Sequence, residues 1–230
     1  MVTVCCVLRS GGRYGVTDVQ RLYRSVSRNL NYAEFVVLTD RCKEVMALPD
    51  AREYDVRAIQ LQHGWPGWWS KLEVWRPNIF EDDTRVLYFD LDTVIVGNLE
   101  DIAKRDEPWI LLGDFYRRPP KQEKISLASG LMMWTANEQA SIYKNFARTP
   151  QKIMSHLRGD QDWIARQNPC VALWERLVPG QVVSYKVHCS DGLPADARLV
   201  CFHGSPKPAD VTDEWVFWNW RSIAPVPAGA

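Results

Sequence analysis

Short apolar segments alternate with polar ones along the first half of the chain. Residues 2–8 and 35–38 are rich in β-branched side chains and predict two strands. Between them, apolar residues recur at helical spacing behind a helix cap that we expect at Thr17 or Asp18. A strand, a helix and a second strand in this order predict a βαβ unit with parallel strands. The apolar positions of the helix are Val19, Leu22, Tyr23 and Val26.

Further apolar segments predict strands and helices along the rest of the chain. No internal repeat and no linker interrupts them, so the pattern indicates one α/β domain over residues 1–230. Strands are expected at residues 58–61, 86–89, 109–112, 129–134, 182–185 and 199–202, and helices at residues 70–75, 137–146, 151–157 and from residue 159 onward.

The strand predicted at residues 86–89 is apolar throughout, as expected of a strand buried on both faces, and it ends in Asp90-Leu91-Asp92. Open α/β sheets bind ligands at the carboxyl ends of their strands. In an extended chain Asp90 and Asp92 point to the same side, where two carboxylates repel each other unless a cation or a proton lies between them. The sequence therefore predicts a site for a hard divalent cation with oxygen ligands.

The same Asp-x-Asp pattern is also common in solvated turns, because Asp forms hydrogen bonds with its own backbone there. Here a second apolar segment, residues 94–96, follows the pair. Apolar segments on both sides favour the metal site over the turn.

Composition excludes several classes of protein. The 28 basic and 28 acidic residues balance, so no overall field points to nucleic acid as a polymer. No apolar segment approaches the roughly 20 residues that a transmembrane helix needs. The first apolar residues follow no basic segment, which predicts a first strand instead of a signal peptide. None of the six cysteines forms a Cys-x-x-Cys pair, and we expect reduced thiols in a cytoplasmic protein.

Several polar residues are candidates for binding, each with a plainer alternative. The Gly-rich loop at residues 9–15 either lets a nucleotide approach the backbone, with Tyr14 stacking on the base, or is an ordinary βα turn. Lys71 on a helix is most often solvated, and Asp160 is a plausible helix cap. The polar segment at residues 117–124 is a candidate for a mobile lid. The eleven Trp either fill the core or provide flat platforms for sugar rings and bases.

Ordered blocks of sequence resemble those of nucleotide-sugar glycosyltransferases of the GT-A fold. The pattern is similar to that of glycogenin and the bacterial lipopolysaccharide galactosyltransferases. Each block is common by itself, but the ordered set is more specific. The blocks are SKLEVW from Ser70, VLYFDLDT from Val86 with the following Asn98-Leu99, SGLM from Ser129, Gly159-Asp160-Gln161, and GSPKP from Gly204.

This resemblance implies a Rossmann-like GT-A domain with a mostly parallel mixed sheet flanked by helices. It also implies an enzyme that moves a sugar, with retention, from a uridine diphosphate sugar to an acceptor, which is a glycan, a lipid or a protein. Mn²⁺ or Mg²⁺ would be held by Asp90 and Asp92. The remaining roles are Tyr14 at the nucleobase, Lys71 at the phosphate or donor sugar, Asp160 and Gln161 at the transferred sugar, and Gly204 and Lys207 at the phosphates.

The chain departs from this family at the third metal ligand. The family has a His three residues before the Gly of Gly-x-x-Lys-Pro, whereas this chain has Cys201 there and His203 directly before Gly204. Positions 201 and 203 face the same way on a strand, so His203 is within reach after a small backbone shift. A thiol suits Mn²⁺ or Mg²⁺ poorly. We therefore expect His203 as the ligand, with Cys201 or water as the alternatives.

Two other functions compete with sugar transfer. The segment from Phe89 to Val94 resembles the first motif of haloacid-dehalogenase phosphatases, in which Asp90 would be the nucleophile. That motif normally lies on the first strand, whereas here a whole βαβ unit precedes it. The other alternative is a non-catalytic module that binds nucleotide sugars, because fold does not fix function.

Overall fold

The structure, a computed structural model, describes residues 1–115, 126–167 and 170–222. The candidate lid at residues 117–124 lies outside these ranges. The described strands are β1 (Thr3–Leu8), β2 (Glu34–Thr39), β3 (Val56–Gln60), β4 (Arg85–Phe89), β5 (Thr93–Ile95), β6 (Trp109–Gly113), β7 (Leu127–Thr135), β8 (Ala172–Leu173), β9 (Val182–Ser184) and β10 (Leu199–Cys201).

A seven-stranded sheet in the order β3-β2-β1-β4-β7-β6-β8 forms the centre of the molecule. Of its strands only β7 runs antiparallel to its neighbours, so the predicted mostly parallel mixed α/β sheet is confirmed. The chain moves outward from β1 through β2 to β3 and then returns to place β4 on the other side of β1. This reversal opens a crevice at the carboxyl ends of β1 and β4, where doubly wound sheets bind ligands.

Helices cover both faces of this sheet. Side chains alternate along β1, so Val4, Cys6 and Leu8 pack with helix α1 (Val16–Asn29) on one face, while Cys5 packs with α4 (Ala140–Arg148) and a 3₁₀ helix (Gly67–Trp75) on the other. The α-helices are α1 (Val16–Asn29), α2 (Cys42–Met46), α3 (Glu100–Ala103), α4 (Ala140–Arg148), α5 (Pro150–His156), α6 (Asp160–Gln167), α7 (Trp174–Leu177), α8 (Tyr185–His188) and α9 (Glu214–Val216), and the 3₁₀ helices are Gly67–Trp75 and Pro208–Asp210.

A smaller sheet of order β5-β10-β9 lies beside the main one. Its strand β5 follows β4 after a three-residue turn, and β10 pairs antiparallel with β5 through residues 199–201. The GSPKP segment begins three residues after the end of β10, so this pairing brings Lys207 to the end of β4. In the part of the chain that the structure describes, no helix is long and apolar enough to cross a membrane.

Three local predictions were wrong. Helix α1 begins after Gly15, and Asp18 accepts a hydrogen bond from the Gly15 N–H at 2.8 Å, so neither Thr17 nor Asp18 is the cap. Residues 70–75 belong to a 3₁₀ helix that starts at Gly67, because tertiary packing of its buried Trp and Leu side chains outweighs α-helix propensity. The chain is also not extended at the Asp-x-Asp motif, since β4 ends at Phe89 and a turn follows.

Candidate active site

A cleft of about 510 Å³ lies at the carboxyl end of β4, the edge of the sheet at which α/β folds bind ligands. It is bounded by the start of β7, the start of α6 and the segment after β10. Tyr14 is not among its lining residues but contacts Asp92 from the Gly-rich loop. The other residues predicted from the sequence all line it: Lys71, Asp90, Asp92, Asp160, Gln161, His203, Gly204 and Lys207.

A tight turn places the two carboxylates of the motif. The Thr93 N–H donates to the Asp90 carbonyl at 3.1 Å, which brings Asp90 and Asp92 to the same cleft although the chain is not extended. Tyr88, two residues before Asp90 on β4, donates its hydroxyl to Asp90 Oδ1 at 2.6 Å. Burial, and then the charge of Asp90, raises the pKa of Asp92 despite the opposing charge of Lys207.

Lys71 is a buried cation between two carboxylates. Its Nζ lies 2.9 Å from Asp90 Oδ1 and 3.2 Å from Asp160 Oδ2, and its side chain is only 8% exposed. It also donates to Ser129 Oγ at 3.0 Å. Burial alone would lower the pKa of Lys71, but the charges of Asp160 and then Asp90 outweigh it, and the net pKa is raised. Lys71 is therefore not the solvated surface lysine of the plainer alternative.

Asp160 begins helix α6, yet its carboxylate is directed into the cleft. Ser129 on β7 donates its hydroxyl to Asp160 Oδ2 at 2.6 Å, and Lys71 pairs with the same oxygen. Asp160 is buried, so these contacts fix one orientation of the carboxylate. The next residue, Gln161, also lines the cleft and is half-buried.

Lys207 pairs with Asp92, the second carboxylate of the motif, as Lys71 pairs with Asp90. Its Nζ donates to Asp92 Oδ2 and, at 2.9 Å, to the Phe202 carbonyl. The Tyr14 hydroxyl reaches the same carboxylate oxygen at 3.2 Å, and burial followed by the charge of Asp92 raises the pKa of Tyr14. Gly204 adopts a φ of +67°, a conformation that favours glycine, and is exposed to the cleft.

The side chain expected from the sequence as the third metal ligand forms a hydrogen bond with a serine in this structure. His203 lines the cleft, but its Nε2 shares a hydrogen bond of 2.6 Å with Ser184 Oγ, and its ring stacks on Phe115. Burial, and then the charge of Asp92, raises the pKa of the Cys201 thiol well above its ordinary value. Within the described residues, no three His, Cys, Asp or Glu side chains converge closely enough to hold a metal ion. The assignment of His203 therefore stays a prediction.

Sequence reasoning missed the hydroxyls that support the site. Tyr88 lies on β4 only two residues before Asp90, so this short spacing could have suggested the contact from the sequence. Ser129 is the polar residue at the start of an otherwise apolar strand, and it connects Lys71 with Asp160. The exposed indole of Trp68 lies at the same cleft and had no distinguishing sequence feature among the eleven Trp.

Comparison with known proteins identifies the fold. No protein-family model and no curated protein sequence matches the chain. Among solved structures, the glycosyltransferase GlyE of Streptococcus pneumoniae is similar over 97% of this chain, with a TM-score of 0.68 and 14% identity. The galactosyltransferase LgtC, solved with donor and acceptor sugar analogues, is similar over 90% of this chain and 89% of its own, with a TM-score of 0.63 and 14% identity.

These likenesses show that the chain has the GT-A-like fold of glycosyltransferases. This chain covers 63% of the length of GlyE, less than two thirds of that protein.

Proposed function

We propose that this protein is a metal-dependent glycosyltransferase that takes a sugar, with retention, from a uridine diphosphate sugar. The observation that carries the proposal is the alternation of charge along the cleft. Asp90 and Asp92 at the crevice of the sheet are each paired with a lysine, and Asp160 shares the buried one. These three carboxylates and two ammonium groups leave one net negative charge, which suits a site completed by a divalent cation and a diphosphate.

The donor set of the cleft fits Mn²⁺ or Mg²⁺ in part. Asp90 and Asp92 offer carboxylate oxygens, the ligands that these hard cations prefer. His203 is our candidate for a third ligand if its ring turns away from Ser184. When bound, the metal would act as a Lewis acid that neutralises charge on the departing diphosphate.

The two lysines have different tasks in this proposal. Lys207 follows the exposed Gly204 in the chain, and its ammonium donates a hydrogen bond to Asp92. When a diphosphate binds, a phosphate oxygen would replace Asp92 as the acceptor of this hydrogen bond. Lys71 is buried and pairs with Asp90 and Asp160, so it holds both carboxylates in position.

Asp160 would then act at the transferred sugar. Its carboxylate is fixed by Ser129 and Lys71 and lies in the cleft next to Gln161. Positive charge develops at the anomeric carbon as the bond to the diphosphate breaks, and a carboxylate held beside that carbon stabilises it. The structure of the cleft supports this role for Asp160 and a neighbouring polar role for Gln161.

Two observations weigh against the phosphatase alternative. The Asp-x-Asp motif follows β4, the fourth strand of the chain, and not the first strand as in the phosphatases. In the sheet, β4 is the neighbour of β1. Both oxygens of Asp90 already accept hydrogen bonds, Oδ1 from Tyr88 and Oδ2 from Lys71, which lowers the reactivity of a nucleophile. Metal-dependent release of uridine diphosphate from the donor separates the transferase from this alternative and from a binding module.

Replacing Lys207 with Ala should weaken binding of uridine diphosphate at saturating Mn²⁺ by at least about tenfold, because a charge-assisted hydrogen bond contributes about 1.5–3 kcal/mol. The complete donor should be affected equally, since both ligands carry the diphosphate. Isothermal titration calorimetry measures both affinities. The control is Lys104→Ala, which removes an ammonium from a side chain that is 72% exposed on the surface. Equal affinities in the Lys207 variant and the wild type would remove Lys207 from the site.

The third ligand can be tested with a pair of variants. His203→Ala should weaken Mn²⁺ binding in the presence of uridine diphosphate, whereas Cys201→Ser should leave it nearly unchanged, because the buried thiol would first have to lose its proton. Electron paramagnetic resonance titration of Mn²⁺ measures both. Loss in the Cys201 variant alone would reverse the assignment. If neither variant loses Mn²⁺ affinity, the aspartates, the phosphates and water complete the coordination shell of the metal.

A further inference from the structure

Trp68 exposes a large apolar surface at the mouth of the cleft. Its side chain is 58% exposed, whereas its neighbours Trp65 and Trp69 in the same aromatic segment are 6% exposed and lie in the core. Among the eleven Trp only Trp218, near the end of the chain, is similarly exposed. Water covers the exposed face of this indole, and a ligand that replaced that water would gain the free energy of burying its apolar surface.

A glycine fixes the position of this indole. A Cβ atom on Gly159 would lie 3.1 Å from Trp68 Nε1 and 3.4 Å from its Cδ1, so the ring rests directly on the Gly159 backbone. A Cβ atom at position 159 would require the ring to shift by a few tenths of an ångström. Asp160, the carboxylate assigned to the transferred sugar, is the next residue of the chain.

The order of contacts along the site shows which end of the donor Trp68 faces. Tyr14 and Lys207 contact Asp92 at the end that we assign to the nucleotide. From Asp90 the contacts then run through Lys71 to Asp160, and Trp68 follows on the backbone before Asp160. By this order of contacts Trp68 lies at the Asp160 end of the site, away from the end where Tyr14 and Lys207 contact Asp92.

The groups around Trp68 select the class of acceptor. Arg158 and Asp162, on either side of Gly159 and Asp160, line the same cleft, and the Arg158 N–H donates to Asp162 Oδ2 at 3.2 Å. A pyranose ring has an apolar C–H face and a rim of hydroxyls, so it matches one flat indole bordered by charged hydrogen-bonding groups. A lipid chain would instead need a lining without charge, whereas carboxylate, ammonium and guanidinium groups line this cleft beside its apolar residues.

We propose that the acceptor is a carbohydrate whose ring stacks on Trp68 beside Asp160. That the bound sugar is the acceptor rests on the proposed glycosyl transfer. That a sugar ring binds to Trp68 does not depend on this function. The two parts therefore require separate measurements.

The binding part is tested by nuclear magnetic resonance of the indole N–H groups in protein labelled with ¹⁵N-Trp, with Trp68→Phe to assign the signal. The probes are the methyl glycosides of galactose, glucose, mannose and N-acetylglucosamine, each titrated with Mn²⁺ and uridine diphosphate present. At least one should shift the Trp68 signal in a saturable way and leave the signal of Trp218, which is 57% exposed and outside the cleft, unchanged. If none of the four shifts the Trp68 signal, the proposal is overturned.

The acceptor part is tested by kinetics with the sugar that binds. Trp68→Ala should raise the KM for that sugar by at least about fivefold, the loss expected when one ring no longer stacks on an aromatic platform. The donor KM should change by less than about twofold, and Trp218→Ala should change neither value. An equal rise in the donor KM would overturn the proposal and make Trp68 part of the donor site. If the wild type transfers to no sugar, the proposed function fails, and the titration still decides whether Trp68 binds a sugar ring.

Discussion

Replacing Asp92 with Asn is expected to reduce metal-dependent turnover of the donor by at least about a thousandfold, because the loss of a metal ligand removes several kcal/mol of charge stabilisation from the transition state. Asp92 lines the cleft beside Asp90 and has an amide isostere of the same shape. Release of uridine diphosphate with and without Mn²⁺ measures the effect. Asp101→Asn, on the exposed surface of α3, makes the same change in net charge and should retain full activity.

The same variant should keep its fold. The pKa of Asp92 is raised in the folded protein, so the carboxyl holds its proton more readily there than in the unfolded chain. Ionisation at neutral pH therefore lowers the free energy of unfolding, and a neutral Asn avoids that loss. Thermal unfolding should show a midpoint equal to or above that of the wild type when no metal is added. Wild-type turnover in an intact Asp92→Asn protein would refute the metal assignment. Asp90→Asn should also lose turnover, but it removes a partner of Lys71 as well.

Replacing Lys71 with Met is expected to lower the free energy of unfolding by about 3 kcal/mol, near the lower end of the range for breaking a buried ion pair. The change leaves Asp160, which is 8% exposed, without its cation, while Asp90 at 31% exposure is partly relieved by water. Urea unfolding at neutral pH measures the loss. Lys104→Met serves as the control, because its side chain is 72% exposed and should contribute little.

A double variant separates charge from packing in this prediction. If the loss in Lys71→Met comes from an unpaired carboxylate, then adding Asp160→Asn should recover part of it. If the loss comes from the missing contacts of the lysine chain, the second substitution should not help, because an amide at position 160 restores no packing at position 71. No recovery would contradict the account of Lys71 as the cation that holds Asp160 in position.

Most of the fold could be predicted from the sequence because its strands are short, apolar and buried. The predicted strands at residues 86–89 and 109–112 match β4 and β6 within one residue at each end. The 3₁₀ helix at Gly67–Trp75 could not be distinguished from an α-helix, since buried Trp and Leu side chains fit both periods over so short a segment. The antiparallel direction of β7 depends on long-range pairing with β4 that local pattern does not contain.

The site was predicted as a set of residues but not as a set of contacts. The strand end places Asp90, and the resemblance to a family supplies Lys71, Asp160 and Lys207. The pairing of Asp92 with Lys207 joins residues 115 positions apart, and it depends on β10 lying against β5. The turn at the Asp-x-Asp motif forms because strand β4 ends at Phe89. The alternation of side chains along a strand does not show where the strand ends, so the sequence could not predict this turn.

The most direct test of the account is to measure uridine diphosphate and inorganic phosphate side by side. Purified protein is incubated with a panel of uridine diphosphate sugars and, separately, with sugar phosphates, first with Mn²⁺ and then after chelation with EDTA. We predict release of uridine diphosphate from at least one donor, loss of that release after chelation, and no inorganic phosphate from the sugar phosphates. Inorganic phosphate as the product would establish the phosphatase instead, and neither product from a donor that binds would reduce the protein to a binding module.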